Sequence, residues 1–285
     1  MTRALRRGLN IRMGWGARAW TIRVLVLGLS LGAIVAAGCG GDGEDAGKTA
    51  PLRVFTPWPF ELRMRRVFER YQIAHPGVRF ELEVGTPGTL IKRARQGDVP
   101  DVLIAMGPVE TDTLRGDRLI RDGGESEIMK QHIILACSPA MKDVVKELKD
   151  VAKPEVRKAG LCVTPILSVG VFTRRALEKT GVLKAAKAKG RTPPLTSLVE
   201  GKVDCAIALE EFCYLESLFD GKRVPLPGVI VVGELPESLC PELSVSALAL
   251  KGPARPELAI GFVQFLGGRE SREIFQRRGP TACPT

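Results

Sequence analysis

From residue 52 onward, apolar residues recur in two alternating rhythms, one of period two and one of period 3.6. Leu52-Arg53-Val54-Phe55 reads as a short strand. Phe60, Met64, Val67, Phe68 and Tyr71 then share one stripe of a helix, which Pro76-Gly77 ends. Val78 to Val84 alternates, with Val78, Phe80, Leu82 and Val84 on one face and Arg79, Glu81 and Glu83 on the other, as in a half-exposed strand. Gly85 to Leu90 is a loop entering a helix that finishes near Gly97. Pro87 suits the first turn of that helix, where its missing N–H would have no partner anyway. Asp101 to Ala105 predicts a buried strand, a polar segment runs to about Lys130, and Ile133 to Cys137 is the next strand.

The same alternation continues. A helix is expected over Met141 to Val151, a strand over Gly160 to Val163, then a loop from Thr164 to Gly170 and a helix to about Lys179. Val203 to Leu209 is a strand and Glu210 to Phe219 a helix. Val229 to Val232 and Val245 to Leu250 are strands, and helices follow over Glu257 to Leu266 and Ser271 to Arg278. Strands alternating with helices predict an α/β architecture. Three junctions share one form, a strand, a loop of small or polar residues, then a helix: Thr56 to Pro59, Thr86 to Thr89 and Thr164 to Gly170. Ligands of α/β sheets sit at such junctions, and a helix N-terminus offers free N–H groups to an anion.

The beginning of the chain follows neither rhythm. Residues 1–38 hold six arginines, Arg3, Arg6, Arg7, Arg12, Arg18 and Arg23, and no acid. An apolar run of about 14 residues from Val24 to Ala37 is shorter than the roughly 20 that span a bilayer. A basic start, a short apolar run and a small-residue exit describe a signal peptide over 1–38. Ala36-Ala37-Gly38-Cys39 resembles a bacterial lipobox, which makes Cys39 the expected lipidation site. The glycine-rich, acidic stretch that follows makes 39–50 a flexible tether.

Setting that leader aside changes the charge. The chain has 42 basic and 32 acidic residues. Without the six leader arginines the balance is 36 to 32, a net charge of +4. With few aromatic residues and no basic stripe, nucleic acid is not an expected partner. Of seven cysteines, six remain beside Cys39: Cys137, Cys162, Cys205, Cys213, Cys240 and Cys283. An even number in an exported chain permits disulfides, with connectivity open, and Cys162 and Cys205 are candidate neighbours near two strand starts. No Cys-x-x-Cys occurs, and His75 and His132 belong to no ligand pair, so no metal site or cofactor is expected. No nucleophile elbow or histidine relay is present, so no catalytic residue is assigned and the chain is read as a non-enzyme.

In their order along the chain, five stretches resemble the periplasmic molybdate-binding protein family, substrate-binding components of ABC importers. They are Leu52 to Phe55; Gly85-Thr86-Pro87-Gly88-Thr89-Leu90; Gly97 to Ile104; Ser168-Val169-Gly170-Val171-Phe172 with Arg174 to Lys179; and Glu200 to Ala208. The ending, Ala259 to Gly279, fits as well, so the resemblance covers roughly residues 52–280. It implies a type II periplasmic-binding-protein fold, with two α/β lobes joined by two hinge strands. Those strands would be Ile133 to Cys137 and Val245 to Leu250. Lobe 1 would hold 51–136 and 247–285, and lobe 2 would hold 137–246. It also implies a small solute, an oxyanion favoured, an ABC permease as partner, and a monomer attached to the membrane through its lipid.

The departures bear on the ligand. Family positions that supply two serine hydroxyls and a tyrosine fall here near Pro59, on Pro87 and on Leu243. Thr56, Thr86 and Thr89 offer hydroxyls nearby, or act only as helix caps. Val169 and either Ala208 or Leu209 offer backbone N–H groups, and Gly88, Ser168 and Gly170 belong to the same loops. Trp58 either lines the cleft or packs beneath a loop. Glu210, with Glu211, either faces the solute or sits in a first helical turn, where acids favour the dipole. The candidate ligand set is therefore Thr56, Trp58, Thr86, Gly88, Thr89, Ser168, Val169, Gly170, Leu209 and Glu210. Two other readings stay open: a different small solute, or a sensor or interaction protein that has lost the oxyanion site.

Overall fold

The computed structural model describes residues 50–191, 193–216, 223–252 and 255–275. The expected signal peptide over 1–38 and the expected lipidation site Cys39 lie outside the described residues, as does Cys283. Chain order runs β1 (Leu52–Pro57), α1 (Glu61–Ala74), β2 (Phe80–Gly85), α2 (Pro87–Arg95), β3 (Val102–Ala105), α3 (Pro108–Gly116), β4 (Ile120–Gln131) and β5 (Ile133–Cys137). It continues with β6 (Ala159–Gly160), α4 (Ser168–Lys179), α5 (Leu183–Lys189), β7 (Gly190–Arg191), α6 (Pro194–Val199), β8 (Cys205–Leu209), β9 (Tyr214–Glu216) and β10 (Arg223–Pro225). The last elements are β11 (Ile230–Glu234), β12 (Leu243–Leu250), α7 (Pro256–Gly267) and α8 (Arg269–Phe275).

Two five-stranded sheets organise two lobes, in the orders β2-β1-β3-β12-β4 and β11-β5-β8-β6-β7. In the first, β1 runs parallel to β2 and β3, while β12 is antiparallel to β3 and β4. The apolar stripe of α1 explains its seat: Met64, Val67, Phe68 and Tyr71 are all buried. Phe68 stacks on Phe80 with centroids 4.0 Å apart, and Phe262 of α7 packs against both rings. In the second lobe β8 is antiparallel to β5 and parallel to β6, and every residue of β5 and β8 is buried.

The chain passes between sheets twice, at His132 and again over 235–242. Ile133 to Cys137, read as a hinge strand, lies wholly in the second sheet, and Val245 to Leu250 wholly in the first. The sheets thus divide four residues before the expected 136/137 boundary at one crossing, and over 235–242 rather than at 246/247 at the other.

Several local expectations are corrected. The helix over Met141 to Val151 is instead two 3-10 turns, Pro139–Met141 and Leu148–Ala152. Asp150 explains the break, since its carboxylate accepts the N–H groups of Lys146 and Glu147, which a helix would need. The helix over Glu210 to Phe219 is a 3-10 turn, Glu210–Cys213, followed by β9, which pairs antiparallel with β10. The polar segment up to Lys130 holds α3 and the 12-residue β4. As an edge strand, β4 carries charged side chains toward water, which hides its period from an apolar count. The strand expected over Gly160 to Val163 is the short β6 at 159–160.

The five described cysteines are free thiols. Cys137 and Cys205 stand in register across β5 and β8. Burial pushes the thiols of Cys205 and Cys213 up to about 12 and that of Cys240 up to about 11, so they are inert apolar filling at neutral pH.

Candidate functional site

A cavity of about 480 Å³ opens between the lobes. Lobe 1 contributes Trp58, Thr86 and Pro87. Lobe 2 contributes Cys162, Val163, Thr164, Leu167 and Val169, the turn Pro193-Pro194-Leu195-Thr196, and Ala208, Leu209 and Phe212. These are ends of strands and starts of helices, the junctions at which α/β folds bind ligands. The wall is mostly aliphatic, aromatic and proline surface. Among the described residues its polar side chains are three threonine hydroxyls and one thiol, with no carboxylate and no cation. Burial, the larger effect, and the nearby Glu110 carboxylate both raise the Cys162 thiol, while the Thr164 backbone opposes them. Trp58 meets Phe212 edge to face across the cleft, with centroids 5.0 Å apart.

Behind this wall the N-termini of α3 and α4 meet. Ser168, first residue of α4, is fully buried, and its Oγ accepts the Val109 N–H of α3 at 3.0 Å. In return the Glu110 carboxylate of α3 accepts the Ser168 N–H at 3.1 Å and the Ser168 hydroxyl. Each helix therefore caps the other, a capping box divided between lobes. Gly107 permits the approach, because a Cβ there would lie 2.3 Å from Ser168 Oγ. Glu110 is fully buried, and no cation pairs with it among the described residues. Burial pushes its carboxyl above the usual range, against the lowering effect of the Ser168 and backbone hydrogen bonds.

A buried ion cluster ties the lobes at a second point. Arg63 Nη1 of α1 lies 2.9 Å from Glu211 Oε2 and also donates to the Phe275 carbonyl. Glu211 Oε1 lies 3.3 Å from Arg223 Nη2, and Arg223 Nη1 lies 3.5 Å from Glu210 Oε1. Glu210 therefore faces Arg223, not the cavity, and the Glu210 N–H donates to the His132 carbonyl at the crossing. Its expected role as a solute ligand is not one this placement supports.

Of the other expected ligand residues, Trp58, Thr86, Val169 and Leu209 line the cavity together. Thr86 is also the N-cap of α2, its Oγ1 accepting the Thr89 N–H at 3.3 Å. Gly88 and Thr89 open with it onto a neighbouring groove beside Lys92, Arg93 and Arg95. The arginines of that groove are paired, Arg93 with Glu83 and Asp98, and Arg95 with Asp117. Thr56 is fully buried, and its hydroxyl has no hydrogen-bond partner among the described residues. Ser168 is engaged by Glu110, as above. Gly170 supports the wall from behind: a Cβ there would lie 2.1 Å from the Thr164 carbonyl oxygen and 2.7 Å from its nitrogen. Gly170→Ala must displace backbone, so we expect a loss of about 1–3 kcal/mol in urea denaturation. A loss near zero would mean that the Thr164 loop yields freely.

Sequence reading missed Glu110, Arg63 and Arg223. Glu110 carried one usable signal, Pro108 followed by an acid two residues on, which is a helix-start pattern.

Two α/β lobes closing over a cleft at their strand–helix junctions define a two-lobed solute-binding protein. The chain matches the family described as bacterial extracellular solute-binding protein over residues 52–280, and it belongs to that family. Proteins of this family are solute-binding components of ABC importers and are exported. A search of curated protein sequences finds no match. Among solved structures, the chain is similar to the periplasmic molybdate-binding protein of Azotobacter vinelandii, with TM-score 0.63, 15% identity, and coverage of 79% of this chain and 96% of that one. It is similar to the sulfate-binding protein of Mycobacterium tuberculosis H37Rv, with TM-score 0.57, 9% identity, and coverage of 79% and 84%. It is also similar to iron-bound HitA of Pseudomonas aeruginosa, with TM-score 0.56, 18% identity, and coverage of 79% and 83%. At these identities the likeness shows the fold. No helix among the described residues is long and apolar enough to cross a membrane.

Proposed function

We propose that this protein captures a small, uncharged and largely apolar solute in the cavity between its lobes and presents it to an ABC permease. The composition of the cavity wall carries this reading. Trp58, Pro87, Leu167, Val169, Leu195, Leu209 and Phe212 supply apolar surface, while three threonine hydroxyls orient the guest. Trp58, Thr86, Val169 and Leu209 are the binding residues. In the same reading the chain acts as a monomer without cofactor or catalysis. Its signal peptide ends at Gly38, and a lipid on Cys39 and the tether over 39–50 hold it near its permease.

An oxyanion, molybdate-like or tungstate-like, is the second reading, supported by the molybdate and sulfate bound by similar structures. Against it, no cation lines the cavity among the described residues. Three of the first four amides of α4 are also already engaged, Ser168 by Glu110, and Gly170 and Val171 by the Leu167 carbonyl.

Thermal denaturation with a panel of solutes tests both. A bound solute at a hundredfold excess over its Kd adds about 2.7 kcal/mol of stability. Neutral apolar solutes are expected to raise Tm saturably and to slow alkylation of Cys162, the half-buried thiol in the wall. A saturable rise with molybdate alone would reverse the order of the two readings. No rise with any solute would favour a sensor or interaction role.

A further inference from the structure

We infer that Glu110 is a built-in anion that occupies the place between two helix N-termini directly behind the wall of the inter-lobe cavity, and that it thereby makes this protein discriminate against anions. The inference deepens the neutral-solute reading and fails separately from it.

The geometry carries it. The carboxylate is fully buried, and two hydrogen bonds to Ser168 aim it at the first turn of α4, a helix of 12 residues. The partial positive charge of a helix N-terminus and the two hydrogen bonds from Ser168 favour the ionised carboxylate, against the burial that raises its pKa. It comes from the opposite lobe, 58 residues away in sequence, so the closed arrangement needs no external anion to join α3 to α4. Ser168 lies between Leu167 and Val169, two residues of the cavity wall, which places the charge one layer behind the solute. The nearest titratable group in that wall, Cys162, senses the same charge. An anionic guest would meet a carboxylate with no cation among the described residues to offset it, whereas a neutral guest carries no charge for it to repel.

The test uses the full chain and its Glu110→Gln and Glu110→Ala variants, with isothermal titration of benzamide, benzoate and inorganic sulfate. Gln keeps the shape and the bond from the Ser168 N–H to its amide oxygen, lets its amide N–H donate to the Ser168 hydroxyl in place of accepting from it, and removes the charge, so benzoate is expected to gain roughly tenfold in affinity while benzamide is unchanged. Ala vacates the helix terminus, so saturable sulfate binding is expected where the unmodified chain has none. If the Ala variant does not fold, the benzoate-to-benzamide ratio in the Gln variant decides. The inference is overturned if that ratio stays at its original value, if a folded Ala variant gains no sulfate, or if the unmodified chain already binds sulfate as tightly as the Ala variant. If benzamide binds none of the three but the Ala variant takes up sulfate, the neutral-solute reading fails and the role of Glu110 stands.

Discussion

Glu211→Ala is expected to destabilise the protein by about 3–5 kcal/mol, because it leaves buried charge without its counterion. Glu211 sits between two guanidinium groups, 2.9 Å from Arg63 and 3.3 Å from Arg223. The side chains of Arg63, Glu211 and Arg223 are 3%, 2% and 5% exposed, so water offsets little of the loss. Glu210 cannot take over, since its contact with Arg223 is longer, at 3.5 Å, and one of its oxygens already lacks a hydrogen-bond partner. The same substitution removes a tie between the lobes, so small-angle scattering should show a more open molecule. Urea denaturation gives the energy. A loss below about 1 kcal/mol, the range of exposed pairs, would mean that the cluster is hydrated and adds little.

Trp58→Ala is expected to weaken solute binding by about 1.5–3 kcal/mol, roughly tenfold to a hundredfold, while changing stability little. Trp58 is 37% exposed and contributes less to the core than the fully buried Phe60 two residues later. Its ring lines the cavity and meets Phe212 on the other lobe, so both solute contact and closure depend on it. Titration calorimetry against a solute identified by thermal shift measures the first effect, and urea denaturation the second. A variant that binds normally would place the solute away from the Trp58 wall.

Much of the first lobe was legible in the pattern of residues. The stripe of α1, the alternation in β2 and the threonine cap of α2 all depend on neighbours within a few positions, which periodicity records. β4 was not legible, because an edge strand exposes polar side chains and reads as a loop. The segment after Leu209 misled for a tertiary reason: its acids are held by Arg63 and Arg223, which lie 148 and 13 residues from their respective partners. Arg63 falls on the apolar face of α1, four residues before Val67, an oddity that could have marked it as buried and paired. Trp58, Thr86 and Val169 fall within the three strand–loop–helix junctions and Leu209 came from the family resemblance; all four line the inter-lobe cavity. The cross-lobe cap was beyond reach, because nothing local connects Glu110 to Ser168. Its consequence is chemical: the helix terminus that suggested an oxyanion already holds a carboxylate.

The most direct measurement follows the fluorescence of Trp58 in the full chain after Trp15→Phe and Trp20→Phe, which leaves it as the one tryptophan of the three in the sequence. Titration with neutral apolar solutes should change its emission saturably, and molybdate at the same ionic strength should not. Saturable quenching by molybdate, with no response to any neutral solute, would contradict the assignment of the inter-lobe cavity to an uncharged guest.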